Sequence, residues 1–295
     1  MYYVLYNTLS ANKQGLAYSR LLLGNHVPED AQMVEISSIA SYAEFWASID
    51  LENDTVVLSG GDGTINRFVN ENVGLTLPKN LFYFASGSGN DFKNDVDENA
   101  TLIPLHKYIQ DLPTVTVNGK TSYFINGIGY GIDGYCCEEG DKFKAKSDKP
   151  VDYTAIAIKG LLFHFKPRNA KVTVDGVTKE YKKVWIAPTM KGRFYGGGMM
   201  VAPEQDRFDP EGMVSFAPLY NSGALHTLMI FPSIFKGEHV KHTKQVEVLR
   251  GHEITVEFDR PTALQIDGET VLEVTSYTVK TGKTANKKEQ AAAEV

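Results

Sequence analysis

Residues 59–64, Ser-Gly-Gly-Asp-Gly-Thr, combine residue types that suit the binding of a phosphate group. They follow the apolar residues 56–58 and precede a helical spacing of apolar residues over 65–69. Adjacent glycines let the backbone approach a ligand closely, and the N–H groups that open a helix favour an anion. Asp62 adds a carboxylate suited to an accompanying Mg²⁺ or to orienting a donor and an acceptor. The motif predicts phosphoryl transfer; the alternative is a plain strand-to-helix turn in which Asp62 is a structural turn residue and Thr64 caps the helix.

Two other glycine patterns in the chain do not support a nucleotide-binding motif of a better-known type. Gly119 and Gly282 each begin a Gly-Lys-Thr triplet, but the glycine that a P-loop requires five residues earlier is replaced by Thr114 and Tyr277. Residues 129–134 match the pattern GxGxxG, but the sequence that follows is charged and reads as irregular. We therefore expect no βαβ unit there, and we reject a dinucleotide-binding interpretation.

The first 110 or so residues alternate strand and helix signals, which is typical of a mostly parallel sheet. Strands are predicted at residues 2–7, 33–36, 56–58 and 81–84, and helices at 14–23 and 41–49. Three strands end in loops compatible with phosphate, at residues 7–10, 60–64 and 87–91. Because ligands bind at the carboxyl ends of parallel strands, these loops are expected at one edge of the sheet.

From about Val115 the pattern changes to short alternating runs separated by turn residues, and Pro261 divides two of them, residues 252–260 and 262–280. Asn118-Gly119 and Asp175-Gly176 are predicted hairpin turns, and one helical insert is expected over residues 153–162. We predict an antiparallel sandwich or barrel-like domain. The expected domains are residues 1–114 and 115–275, followed by a terminal strand and flexible tail over 276–295.

Composition indicates an ordinary soluble globular protein. The chain has 295 residues, of which 42% are hydrophobic, and a net charge of −6, which argues against a nucleic-acid partner. We see no secretory signal and no apolar run near the ~20 residues that span a bilayer. The two cysteines are neighbours, so a reducing cytoplasm is expected. A homodimer through an exposed sheet edge is left open.

Together these motifs resemble the diacylglycerol kinase catalytic-domain family, which includes soluble bacterial lipid kinases and the sphingosine and ceramide kinases. The resemblance covers residues 1 to about 275 and is carried by five segments: residues 60–64, 87–91, 126–133, 195–199 and 265–269. It implies an N-terminal α/β nucleotide-binding domain of the NAD kinase and diacylglycerol kinase type and a C-terminal antiparallel β-sandwich. The active site is then expected in the inter-domain cleft.

The resemblance also implies ATP and Mg²⁺ as co-substrates and a lipid hydroxyl as acceptor, foremost that of diacylglycerol, which becomes phosphatidic acid. Glu269 matches the family's general base, and Asp62 and Asp133 match acidic residues that line its cleft. The residues implied in nucleotide binding are Asn7, Gly60, Gly61, Asp62, Gly63, Thr64, Asn66, Gly87, Ser88, Gly89, Asn90 and Asp91. Without the resemblance, residues 267–269 would be interpreted as a hairpin turn.

A departure from the family concerns its structural Mg²⁺ site, which uses an Asp-Gly pair and nearby backbone carbonyls. Alignment on the glycine of residues 208–213 places Glu211 in the metal position, with carbonyls expected from Phe208 and Met213. Glutamate is one methylene longer than aspartate, and Mg²⁺ requires near-octahedral geometry. One expectation is that Mg²⁺ binds more weakly at this site. The other is that Asp209, and not Glu211, is the metal ligand.

The acceptor must come from a membrane surface, which implies peripheral contact at the inner membrane face. Residues 153–165, with Lys166 and Arg168 behind them, are one hypothesis for an interfacial face, and a core helix is the alternative. Two other functions stay open: an NAD kinase-like enzyme, and a non-catalytic regulator that binds nucleotide or lipid.

Overall fold

The computed structural model describes residues 1–147, 149 and 151–282, apart from the side chain of Asn12. The chain divides into two compact units, with the boundary between Gln110 and Asp111. Most of the predicted flexible tail, residues 283–295, lies outside the described residues.

A mixed sheet forms the centre of the first unit. Over residues 1–110, which are described, it has five strands in the order β2-β1-β3-β4-β5. Strands β1 to β4 are parallel and β5 runs antiparallel to β4, so the predicted α/β organisation is confirmed. The strands are β1 (Tyr2–Tyr6), β2 (Gln32–Glu35), β3 (Thr55–Gly60), β4 (Asn80–Ala85) and β5 (Ile103–Pro104). The helices are α1 (Ser10–Lys13), α2 (Gly15–Arg20), α3 (Tyr42–Ala47), α4 (Asp62–Glu71), α5 (Asp91–Val96) and α6 (His106–Ile109).

Strands β1 and β3 are apolar on both faces because both faces are covered by other parts of this unit. Val4 and Val57 are fully buried together with Leu22 on one side. Phe68 of α4 contacts the rings of Tyr42 and Trp46 of α3 in edge-to-face arrangements. A strand covered on both faces needs a nearly continuous apolar run, and residues 56–58 supply it.

The second unit is an antiparallel β-sandwich, as predicted. Its described strands are β6 (Thr114–Val117), β7 (Lys120–Tyr123), β8 (Gly127–Tyr130), β9 (Arg168–Val174), β10 (Val177–Val184), β11 (Thr189–Met190), β12 (Phe194–Tyr195), β13 (Met199–Met200), β14 (Val214–Phe216), β15 (Leu249–Gly251), β16 (Glu253–Ile266) and β17 (Glu269–Lys280). Its described helices are α7 (Ile132–Lys144), α8 (Tyr153–Lys159) and α9 (Ala224–Ile230). A π-helical turn, Gly160–His164, follows α8, and two 3₁₀ segments, Phe231–Lys236 and Glu238–Lys241, follow α9.

Strand β16 is central to the sandwich. Its first half pairs with β9 and its second half with β8, while β17 pairs along both. The sequence suggested two runs separated by Pro261, but the structure has one 14-residue strand whose pairing with β17 shifts register around that proline. Proline is tolerated in a sheet at such an irregularity because it has no N–H to donate. Tyr130 and Phe258 stack in the core beneath, with ring centroids 3.8 Å apart.

The predicted hairpin turns are present. Asn118-Gly119 joins β6 to β7 and Asp175-Gly176 joins β9 to β10, and all four residues have positive φ, as a type I′ turn requires. Strand β17 runs through residue 275, so the terminal strand expected from residue 276 is the second half of β17.

Helix α7 corrects one sequence expectation. The charged segment after residue 134 was expected to be irregular, but it forms part of a 13-residue helix. Its charges have helical spacing: Lys142 pairs with Glu138 at 2.7 Å and with Glu139 at 2.8 Å. Strand β8, which precedes the helix, pairs antiparallel with β11 and β16. The rejection of a dinucleotide-binding βαβ unit therefore stands, although the reason given for it was wrong.

The helical insert begins where the sequence predicted. The Asp152 side chain accepts a 2.9 Å hydrogen bond from the N–H of Ala155 and caps α8.

None of the helices in the described part of the chain is both long and apolar enough to cross a bilayer.

Candidate functional site

Three strand ends in the first unit meet as the sequence predicted. Strands β1, β3 and β4 are parallel neighbours, so the loops after them lie at the same edge of the sheet. The Asn7 side-chain amide donates a 3.1 Å hydrogen bond to the hydroxyl of Thr64, and the Asn7 N–H donates to the carbonyl of Ser59. The loops after β1 and β3 are thereby joined directly.

Glycine is required where the loops after β3 and β4 touch. A Cβ atom built on Gly87 would lie 2.5 Å from the Cα of Gly61, and one on Gly60 would lie 2.3 Å from the Thr64 hydroxyl. The N–H of Ser86 donates a 2.9 Å hydrogen bond to the carbonyl of Gly60. The two backbones therefore lie against each other with no side chain between them, an arrangement that also lets a phosphate approach main-chain N–H groups.

Asp62 links the same two loops through its carboxylate. One oxygen accepts a hydrogen bond from the N–H of Asp91 at 3.0 Å, and the other accepts from the N–H of Phe92 at 2.8 Å. Helix α5 begins at Asp91, so Asp62 caps a helix that belongs to another loop. The sequence identified this carboxylate but not its partners. The alternative interpretation of Asp62 as a structural residue is correct to that extent, and its catalytic role stays a prediction.

The second loop is closed by Asn90. This residue has a left-handed conformation with φ of 53°, its side-chain oxygen accepts from the N–H of Gly87, and its side-chain amide donates to the Gly87 carbonyl. Ser88 is exposed in this loop, whereas Asp91 is buried. On α4, Asn66 is half-buried, and its carbonyl accepts from the side chain of Asn70. All the residues predicted to bind nucleotide thus belong to one edge of the first unit or to the helix that starts there.

In the second unit, Glu269 follows a tight turn that is bound to a second segment. Asp267 and Gly268 both have positive φ and join β16 to β17. The Asp267 carboxylate accepts hydrogen bonds of 2.6, 2.8 and 2.9 Å from the N–H groups of residues 125–127. The hairpin interpretation of residues 267–269 is therefore correct for the backbone. Glu269 itself is exposed, at the first position of β17.

Arg207 supports the same segment and was missed by sequence reasoning. Its guanidinium donates to the carbonyl of Ile125 at 2.6 Å and to the side-chain oxygen of Asn126 at 2.5 Å. Arg207 is buried, as is Asp267 on the other side of this segment. No spacing in the sequence marks either residue as a support, because the partners lie more than 80 positions away.

Asp133 lies in the first turn of α7 and is buried. Burial raises the pKa of its carboxyl from 3.8 to about 7, and the nearby Tyr195 hydroxyl acts in the opposite direction. Among the described residues, neither Oδ2 of Asp133 nor the Tyr195 hydroxyl has a partner in good hydrogen-bonding geometry. A Cβ atom on Gly129 would lie 2.8 Å from the Asp133 Cβ and 2.7 Å from the Gln265 side-chain nitrogen. Asp133 thus occupies a tight polar pocket with hydrogen-bonding capacity to spare.

The Cys137 thiol lies within electrostatic range of both Asp133 and Glu269. Burial raises its pKa to about 12, and the charges of Asp133, Asp141 and Glu269 add to the increase. Burial also raises the pKa of Cys136. Both thiols are therefore protonated and unreactive near neutral pH. Asp133 and Glu269 are the two predicted catalytic carboxylates of the second unit, and both lie close enough to Cys137 to act on its thiol.

The predicted metal segment has a different arrangement. Burial pushes the pKa of Asp209 upward, but the Met213 N–H and the Arg250 guanidinium outweigh it and hold the pKa below its ordinary value. One Asp209 oxygen accepts from the Met213 N–H at 2.8 Å and lies 2.7 Å from the Arg250 guanidinium. Glu211 and Phe208 are exposed.

This arrangement does not fit a bound Mg²⁺. The half-buried Asp209 carboxylate is already neutralised by the Arg250 guanidinium, which repels a second cation. The assignment of Phe208, Asp209, Glu211 and Met213 to a structural metal site stays a prediction that this geometry does not favour.

Comparison with known proteins identifies both units. Residues 1–116 match the family model described as the diacylglycerol kinase catalytic domain. Residues 126–281 match the model described as the YegS C-terminal NAD kinase beta sandwich-like domain. The second match alone covers more than half of the chain.

Individual relatives are distant. A diacylglycerol kinase from Mycobacterium tuberculosis is 24% identical over 226 residues, which cover 72% of this chain and 69% of that protein. A diacylglycerol kinase from Bacillus subtilis is 24% identical over 227 residues, covering 74% and 72%. A solved structure of a diacylglycerol kinase from Bacillus anthracis has a TM-score of 0.58 and 18% identity, covering 95% of this chain and 93% of that one. At this identity the structural match shows a common fold.

Proposed function

This chain belongs to the diacylglycerol kinase catalytic-domain family with a YegS-type C-terminal domain, and on that premise we propose that it phosphorylates a lipid hydroxyl with ATP. The proposed acceptor is diacylglycerol, and the product is phosphatidic acid. Two relatives that carry the name diacylglycerol kinase support this choice of acceptor.

The observation that carries the proposal is the convergence of three loops in the first unit. Asn7 bonds to Thr64, and the Asp62 carboxylate bonds to the first two N–H groups of α5. The glycines at the contact leave main-chain groups open to close approach. We assign the triphosphate to this edge, where the N-terminus of the 10-residue helix α4 favours negative charge. The nucleotide's Mg²⁺ supplies neutralisation of the charge on the transferring phosphoryl group.

In the proposed reaction the lipid oxygen attacks the γ-phosphorus of ATP. A new P–O bond forms, the bond from the γ-phosphorus to the bridging oxygen breaks, and ADP leaves. Glu269 takes the proton of the lipid hydroxyl. An exposed glutamate suits this role, because such a base needs reach and orientation toward the hydroxyl.

Asp267 and Arg207 position this part of the second unit without touching the reactants. Asp267 fixes the turn that precedes Glu269 by accepting three backbone N–H bonds. Arg207 holds the opposite side of the same segment. We expect their removal to lower turnover by misplacing Glu269.

The test is transfer of radiolabel from [γ-³²P]ATP to separate acceptors: diacylglycerol, monoacylglycerol, sphingosine, ceramide and NAD. The expected result is labelled phosphatidic acid that depends on Glu269. Labelled NADP would establish the NAD kinase alternative. Binding of ATP without transfer to any acceptor would favour a non-catalytic regulator.

A further inference from the structure

Two segments of the second unit are basic in an acidic protein. Residues 153–168 and 224–236 contain no Asp or Glu, although the chain has 36 acidic residues and a net charge of −6. The Lys, Arg and His residues in these two segments are Lys159, His164, Lys166, Arg168, His226 and Lys236. Random placement would put three or four acidic residues in the 29 positions of these segments. Because the segments have none, their Lys and Arg charges are not offset, and both segments are positively charged.

The two segments lie against each other in the structure. The π-helical turn after α8 packs against α9. Their inner sides join one apolar core, to which Leu161 and Phe165 contribute from the first segment and Ile230 and Ile234 from the second. The core-helix interpretation of residues 153–165 is therefore correct for the inner side of this segment.

The outer sides carry large apolar side chains. Phe163 is 77% exposed, Leu225 71% and Met229 72%. Leu225 and Met229 are four residues apart on α9 and so project from the same side of the helix. The side chains of Lys159, Lys166 and Lys236 are exposed on the same two segments. Apolar side chains flanked by lysines are the composition of an interfacial membrane-binding surface.

We propose that the basic apolar face, formed by Phe163, Leu225 and Met229 with Lys159, Lys166 and Lys236, docks on an anionic lipid bilayer. The apolar side chains enter the boundary between headgroups and acyl chains, and the lysines contact anionic headgroups. The positive charge of this face favours an anionic bilayer over a second copy of the chain, because two basic faces repel each other. The inference rests on the proposed function, since a lipid kinase meets its acceptor at a bilayer surface.

The test is co-sedimentation of the full chain with vesicles in the absence of ATP and diacylglycerol. One set of vesicles is phosphatidylcholine, and the other contains 30% phosphatidylserine. We expect binding to the anionic vesicles that weakens as salt is raised from 50 to 500 mM. The combined variant Phe163→Ser, Leu225→Ser and Met229→Ser should lower the partition coefficient by at least about 30-fold. The pair Lys159→Glu and Lys166→Glu should lower it by at least about tenfold.

Matched controls are available on the same unit. Val177 is 74% exposed at the β9–β10 hairpin, and Lys182 is exposed on β10. Val177→Ser and Lys182→Glu should bind vesicles like the natural protein. Absence of wild-type binding to anionic vesicles, or unchanged binding by the triple variant, would overturn the proposal. A dimer in solution that the triple variant dissociates would assign the face to self-association instead.

Failure of this inference can be told apart from failure of the proposed function. A short-chain, water-soluble diacylglycerol does not require extraction from a bilayer. With it, the triple variant should keep the wild-type rate and lose activity only on vesicle-embedded substrate. Vesicle binding without phosphorylation of any lipid would remove the proposed function and leave the docking surface in place.

Discussion

The carboxylate of Asp62 accepts a 2.8 Å hydrogen bond from the backbone N–H of Phe92, a residue 30 positions further along the chain. A second bond to the N–H of Asp91 makes the same carboxylate the cap of α5. The phosphate-compatible loops after β3 and β4 are therefore a single connected structure. Their shape depends on one side chain that the sequence suggested for catalysis.

Replacement of this carboxylate should affect loop order as well as catalysis. Asp62→Asn keeps the size but loses the charge and one acceptor, which should cost about 1–3 kcal/mol of folding free energy. We expect lost turnover with the fold retained, and faster amide exchange at residues 91 and 92. Urea unfolding, circular dichroism and hydrogen exchange measure these effects, with Glu98→Gln at an exposed site of the same unit as the control. Normal exchange at both amides would contradict the capping role.

The contact between the glycine loops gives a steric prediction. In Gly87→Ala the new methyl group would lie 2.5 Å from the Cα of Gly61, so one loop must move. A displacement of about 1 Å at a reacting group can cost roughly 10²-fold, and we expect a loss of that order in kcat/KM for ATP. Gly223→Ala is the control, since a Cβ there meets no atom of the described residues within 4 Å. Equal kinetics for the two variants would show that the contact does not shape the nucleotide site.

The base is tested at Glu269. Glu269→Gln keeps size and hydrogen bonding but removes the proton acceptor, so kcat should fall by about 10²–10⁴ with nearly unchanged affinity for ATP. Glu273→Gln, an exposed glutamate on the same strand, should behave like the natural protein. Steady-state kinetics and nucleotide titration separate the two effects. A near-wild-type rate for Glu269→Gln would exclude Glu269 as the base.

Burial of Asp133 gives a pH prediction. Its carboxyl titrates near 3.8 when unfolded and at about 7 in the fold. A carboxyl whose pKa is raised by folding favours the folded state fully below pH 4, and this contribution is lost as the pH rises to about 7. Between pH 5 and 8, the natural protein should therefore lose about 2–3 kcal/mol of stability relative to Asp133→Asn. Urea unfolding across this range measures the difference, and parallel pH curves for the two proteins would show an ordinary pKa.

The Asp209–Arg250 ion pair gives a prediction about the metal. Because the guanidinium lies 2.7 Å from the carboxylate, Mg²⁺ at 5 mM without nucleotide should not raise the Tm beyond the effect of a salt of equal ionic strength. Arg250→Ala frees the carboxylate, so a Tm that depends on Mg²⁺ is expected in that variant. Thermal unfolding with Mg²⁺ and matched NaCl measures both. A Mg²⁺-specific stabilisation of the natural protein would restore the structural metal site.

Much of the fold was accessible from local patterns. Short apolar runs marked β1, β3 and β4, and the Asn-Gly and Asp-Gly pairs marked two hairpins, because run length and turn conformation depend on near neighbours. Helix α7 was missed because its charged residues were judged by composition, whereas their pairing at three and four positions stabilises a helix. Strand β16 was predicted as two runs divided at Pro261. The proline is accommodated by a register shift in the pairing with β17, and this pairing cannot be read from the sequence of β16 alone.

In the candidate site, likewise, some residues were identified from the sequence, whereas their partners were determined by the fold. Glycine spacing after predicted strands was enough to locate the phosphate-compatible loops and Asp62, whereas Asp133 and Glu269 were identified through the resemblance to the family. The partners of the acidic side chains could not be read from the chain, since Asp267 bonds to Gly127 across 140 positions and Asp209, in a loop, contacts Arg250 of β15. Which carboxylate caps a helix, which is neutralised by a guanidinium and which stays exposed depends on where the folded chain brings distant segments together. Burial and pairing then set the charge of each group, and with it the chemistry that the group can perform.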